Sequence, residues 1–130
     1  MEVRLVLDTN AYSGLMRGDA GVVGIARAAA HIYLPAPVLG ELLYGFRGGN
    51  RFRENRQQLF DFLAAPSVEF VATDQTVCDR YSLVLQQLKS KGRPIPTNDV
   101  WIAAHALALG ADLLSADEHF SAIDGLSWIH

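Results

Sequence analysis

The chain has 130 residues, half of them hydrophobic and 19% charged, and a formal net charge of −3. That is the composition of one soluble domain with a sizeable core, and no apolar run approaches the roughly 18 residues of a membrane span. A lone cysteine, Cys78, excludes an intramolecular disulfide, and Glu2 with only Arg4 as a nearby base does not make a signal peptide, so a cytoplasmic protein is expected.

In chain order, strands alternate with helical patterns, which predicts an α/β domain on a parallel sheet. Residues 3–7, "VRLVL", form a continuous β-branched run and read as a strand buried on both faces; residues 32–36, 68–72, 111–116 and 126–129 complete five short strands. Between them, "GVVGIARAAA" is helical, and "PVLGELLYGF" opens with Pro37 and carries Leu39, Leu42, Leu43 and Phe46 on one face. A helix over 50–66 carries Leu59, Phe62 and Leu63. The next, over 73–92, has a Val77, Tyr81, Val84, Leu85, Leu88 stripe and a Gly92 stop. Last come "TNDVWIAAHALALGA", almost wholly apolar and stopped by Gly110, and a one-turn helix in "DEHFSAI".

The charges are segregated along this order. All 11 Lys and Arg lie between Arg4 and Arg93, whereas Pro94–His130 holds Asp99, Asp112, Asp117, Glu118 and Asp124 and neither Lys nor Arg. In an open parallel sheet the functional crevice lies outside the carboxyl ends of the strands. Asp8 and Asp117 both follow strand ends, Asp99 stands in the first turn of a helix that returns to a strand, and Glu41 is about a turn and a half into the helix after the second strand. Four acids therefore converge on one edge. Carboxylates held close together resist ionisation unless a cation joins them, and an all-oxygen donor set suits Mg²⁺ or Mn²⁺ beside a substrate phosphate. Each acid alone also has an ordinary structural reading: Asp8 and Asp117 as helix caps, Glu41 as a solvated helix face, Asp99 as a complement to a helix dipole.

Read together, "LVLDTN", "PVLGELLYG", "PIPTNDVWIAAHAL" and "DLLSADEHFSAI" resemble the PIN domain, and the "NDxWIAAHAL" segment is similar to the VapC-type toxins of toxin-antitoxin pairs. The resemblance covers essentially the whole chain, residues 1–130, as one domain. It implies a three-layer α/β/α sandwich around a central, mainly parallel five-stranded sheet. It also implies an Mg²⁺- or Mn²⁺-dependent endoribonuclease acting on transfer or ribosomal RNA, a homodimer, and a cognate antitoxin that silences it. Asp8, Glu41, Asp99 and Asp117 carry over as the catalytic and metal-holding acids. Where such domains often have Thr two residues before the last acid, this chain has Ser115, which keeps the hydroxyl. Thr9 and Ser115 would orient the carboxylates, with Asn10 and Asn98 as further candidates, or serve as ordinary caps. His119 reads as solvent-facing and His105 as a satisfied core residue.

Arg47, Arg51, Arg53 and Arg56, with Phe52 among them, and Lys89, Lys91 and Arg93 ahead of the acidic tail are candidates to grip RNA phosphates. Tyr12, Leu15, Met16, Tyr44 and Phe46 lie near the acids, where a groove could receive an amphipathic partner helix. A receiver-like or haloacid-dehalogenase-like phosphotransferase also places an Asp after its first strand. That alternative lacks support here: no Lys follows Lys91, and "DTN" has no second acid. The other alternative is a PIN-like RNA- or protein-binding module without turnover, which would be expected to lack some of the four acids that all stand here.

Overall fold

The computed structural model describes residues 2–130. Five strands, β1 (Arg4–Leu7), β2 (His31–Pro35), β3 (Val68–Val71), β4 (Asp112–Leu114) and β5 (Trp128–Ile129), pair in the order β3-β2-β1-β4-β5, every pair parallel. The central strand is β1. Its Leu5, Val6 and Leu7 are completely buried because both neighbours and both faces cover them, which is what a continuous apolar run encodes.

Six helices connect the strands: α1 (Thr9–Arg17), α2 (Ala20–Ala28), α3 (Ala36–Arg47), α4 (Phe52–Leu63), α5 (Gln75–Lys91) and α6 (Thr97–Leu109), followed by a 3₁₀ turn at Glu118–Ala122. Right-handed crossovers from β1 through β2 to β3 put α1 to α4 on one face, and the return from β3 to β4 puts α5 and α6 on the other. The result is the expected three-layer α/β/α sandwich. The strand order reverses between β1 and β4, which makes their carboxyl ends the topological switch point.

Local sequence explains the element ends. The Asp8 side chain caps α1 by accepting from the Ala11 N–H, and Asp74 caps α5 by accepting from the Val77 N–H. Gly92 and Gly110, at φ 65° and 62°, terminate α5 and α6 in the left-handed conformation that glycine adopts without strain. Helix α6 is apolar nearly all round because it is wedged against the sheet and α5, with Val100, Ile102, Ala103, Ala104, His105 and Ala106 all buried.

Several expectations need correction. The expected α5 stripe holds at Val77, Val84 and Leu88, but Leu85 is 41% exposed and Tyr81 stacks on Trp101 at 3.7 Å between ring centroids. In α3 the fully buried residues are Val38 and Leu42, while Leu39, Leu43 and Phe46 are half-buried. Tyr12 is not a groove residue: it is buried, meets Phe62 edge-on, and its hydroxyl has no partner, with burial raising its pKa to about 12.

Candidate active site

Asp8 sits where β1 meets α1, 4% exposed, with both carboxylate oxygens engaged. Its Oδ1 accepts from the Ala11 N–H at 2.8 Å and its Oδ2 from the Ser115 hydroxyl at 2.5 Å. Ser115 lies just past β4 and is itself fully buried. Its hydroxyl oxygen accepts from the Asp117 N–H at 2.9 Å, and its carbonyl from the Trp128 indole N–H at 2.8 Å. One serine therefore ties the ends of β1 and β4 together and links Asp8 to Asp117.

Asp117 caps the 3₁₀ turn, its Oδ1 accepting from the His119 N–H at 2.9 Å, so its capping role and its place among the acids coexist. Asp99 enters from the first turn of α6. Glu41, half-buried one turn into α3, accepts from the Thr9 hydroxyl at 2.9 Å through Oε2. Its side chain is thus oriented across the crevice rather than left on a solvated face. Asn10 and Asn98 are exposed; Asn10 lines a groove with Gly14, Val22, Ile25, Leu114 and Ser115.

The electrostatics follow from the crowding. Burial raises the Asp8 carboxyl above its ordinary value of 3.8, the Ser115 and Ala11 hydrogen bonds oppose the rise, and the Asp99 and Asp117 charges add to it. Burial also raises Asp99, the His119 contact lowers it, and Asp117 and Glu41 push it further up. Asp8 therefore feels the charges of Asp99 and Asp117, and Asp99 those of Asp117 and Glu41.

His119 is the residue sequence reasoning passed over. Its Nδ1 lies 3.0 Å from Asp99 Oδ2 and 3.0 Å from Asp117 Oδ1, although the ring is half-exposed as expected. The hydrogen bond to Asp99 raises its pKa above 6.5, and the neighbouring acid charges reinforce the rise. The available signal was the Asp-x-His spacing across a one-turn helix. Ligand atoms of Asp99, Asp117 and His119 all fall within 4.8 Å of one another, while Asp8 and Glu41 flank that group rather than join it. His105 is only half satisfied: Nε2 pairs with the Thr73 hydroxyl at 2.8 Å and Nδ1 has no partner.

The basic residues divide. Lys91 is committed elsewhere, its Nζ donating to the Ala122 carbonyl at 2.8 Å and pairing with Asp124 at 2.6 Å. Arg93 shares a surface recess with Glu118 and His119, beside the acids. Arg47 stacks over Phe52 and Arg56 over Phe60, at 4.2 and 4.5 Å from the ring centroids. Arg51 and Arg53 are exposed nearby. Among the described residues no helix is long and apolar enough to cross a membrane.

The PIN domain family matches residues 5–126 of this chain. Ribonuclease VapC1 of Haemophilus influenzae is 33% identical over 128 residues, 95% of this chain and 94% of that protein. Two solved structures are close in shape. VapBC2 from Rickettsia felis bound to a promoter DNA fragment gives a TM-score of 0.86 at 25% identity, covering 98% of each chain. VapBC-1 from nontypeable Haemophilus influenzae gives 0.85 at 26% identity, covering 98% of this chain and 97% of that one.

Proposed function

Starting from the fact that this chain belongs to the PIN domain family and is similar to the VapC ribonucleases over nearly its whole length, we propose that it is a metal-dependent endoribonuclease toxin. In this reading it hydrolyses RNA phosphodiester bonds and is held silent by a cognate antitoxin. The observation that carries the chemistry is the convergence of Asp8, Glu41, Asp99 and Asp117 at the switch point, where burial and mutual repulsion raise the Asp8 and Asp99 carboxyls. Such a site carries an excess of negative charge. The donor set, mostly carboxylate and partly exposed at Asp99 and Asp117, fits Mg²⁺ or Mn²⁺.

Asp99 and Asp117 would hold the ion directly, with Asp8 behind them and Glu41 at the side. When bound, the ion supplies positive charge to the scissile phosphate and lowers the pKa of an attacking water. The chain supplies the rest. Ser115 and the Ala11 N–H lock the Asp8 carboxyl in place, so the site does not reorganise as charge develops on the phosphate. Glu41, steadied by Thr9, orients the attacking water for in-line displacement of the 3′-oxygen. Arg93, beside His119, meets the RNA backbone next to the acids, and Arg47, Arg51, Arg53 and Arg56 extend the contact along the α3–α4 hairpin.

The structural relatives VapBC2 and VapBC-1 are toxin-antitoxin complexes, which supports a protein partner encoded beside this one. A homodimer, checked by light scattering, belongs to the same reading. The test is expression in a bacterial host. Wild type should arrest growth, co-expression of the neighbouring small protein should restore it, and Asp8→Asn should be harmless though folded. Arrest by a folded Asp8→Asn protein would remove the assignment.

A further inference from the structure

Resting on the metal-nuclease reading, we propose that His119 is a nitrogen ligand of the metal centre and that this donor tilts the site towards Mn²⁺ over Mg²⁺. The ligand atoms of Asp99, Asp117 and His119 lie within 4.8 Å of one another. Nδ1 stands at equal distances of 3.0 Å from Asp99 Oδ2 and Asp117 Oδ1. Adjacent ligands on an octahedron with bonds of about 2.1 Å are themselves about 3.0 Å apart. The Nδ1–H is shared between the two carboxylates as a three-centre hydrogen bond, and a divalent ion would take the place of that proton.

The placement of the ring is built into the fold. The His119 N–H is held by Asp117 at 2.9 Å, and the 3₁₀ turn that carries it is anchored at its far end by Lys91 on the Ala122 carbonyl and Asp124. The His119 side chain is 48% exposed against 17% for Asp99 and 28% for Asp117, so an ion entering from solvent meets the imidazole at the mouth of the site. Mg²⁺ prefers oxygen and keeps its waters, whereas transition metals accept imidazole readily. A two-carboxylate, one-imidazole group therefore separates ions that a purely acidic group would treat more alike.

The test uses the full chain stripped with EDTA and loaded with Mn²⁺ alone or Mg²⁺ alone. Pulsed electron paramagnetic resonance of the Mn²⁺-loaded wild type should show ¹⁴N modulation from a directly bound nitrogen, and His119→Ala should abolish it. By calorimetry, His119→Ala should weaken Mn²⁺ binding about tenfold while leaving Mg²⁺ within about twofold. Mn²⁺ bound without ¹⁴N modulation, equal weakening of both ions, or tighter binding of both in the variant would each overturn the inference. An Asp99→Asn protein separates the two levels. If it loses Mn²⁺ while His119→Ala does not, the acidic site stands and the histidine ligand falls; if wild type binds neither ion, the underlying metal reading falls as well.

Discussion

Asp8 and Glu41 are held in place by the hydroxyls of Ser115 and Thr9, and removing such a hydroxyl has a predictable sign. Ser115→Ala takes one of two partners from a buried carboxylate and also the acceptor for the Asp117 N–H, so it should cost about 1–3 kcal/mol in urea unfolding as well as activity. Asp99→Asn should act in the opposite sense on stability. The folded-state pKa of Asp99 is raised, so without metal the folded chain holds a proton that the unfolded chain releases, and stability falls as pH rises above 3.8. Metal-free Asp99→Asn should therefore melt above wild type at pH 7, with a smaller fall as pH rises; a variant that melts lower would contradict the raised carboxyl, which burial causes first and acid repulsion second. His119 adds to the trend, because its raised pKa gives stability that is present below 6.5 and lost as pH rises through the folded value. The structural roles foreseen for Asp8 and Asp117 as caps were legible in the sequence, and the structure shows both caps. His119 was not legible, because whether its ring turns back onto Asp99 depends on the backbone of a single 3₁₀ turn.

At the level of elements, α6 couples the site to the core. It presents Asp99 from its first turn and buries His105 in its middle, where the ring meets Thr73 ahead of α5. Burial lowers the His105 pKa to about 4, with the Asp74 charge opposing the drop. The unfolded chain, near 6.5, therefore binds a proton that the folded chain refuses. Stability should rise with pH between about 4 and 6.5, at up to about 1.4 kcal/mol per unit from this residue, a sign opposite to that of Asp99. The measurement is urea unfolding across that window: subtracting the His105→Leu profile from wild type should leave a positive slope, and a flat difference would remove the assignment. Strand and helix order was readable because parallel strands buried on both faces give unbroken apolar runs. The bounds of α1 were not, since "TNAYSGLMR" mixes polar and apolar residues over only nine positions and takes its start from the Asp8 cap. Strand β5 shrinks to Trp128–Ile129 because only Leu113 and Leu114 of β4 pair with it.

At the scale of the whole molecule, the ribonuclease reading requires an acidic chain to hold a polyanion, and segregation of charge is consistent with that. Basic side chains occupy the α3–α4 hairpin and the approach to α6, and the acids occupy the carboxyl edge of the sheet. If four phosphates are contacted, RNA affinity should fall with salt at a logarithmic slope of about −3, measured with Asp99→Asn to prevent cleavage. Charge reversal at Arg93 should flatten the slope, whereas Lys91, committed to Asp124 and the Ala122 carbonyl, should contribute little to it. A salt-independent affinity would count against the basic surface. The central claim is that the convergent acids make this chain a metal-dependent ribonuclease, and it is tested most directly by incubating purified protein with total cellular RNA. With Mg²⁺ or Mn²⁺ the wild type should yield discrete fragments whose mapped ends name the target, and EDTA or Asp99→Asn should suppress them by about 10²–10³-fold. Undiminished cleavage in EDTA, or none with either ion while RNA remains bound, would contradict it.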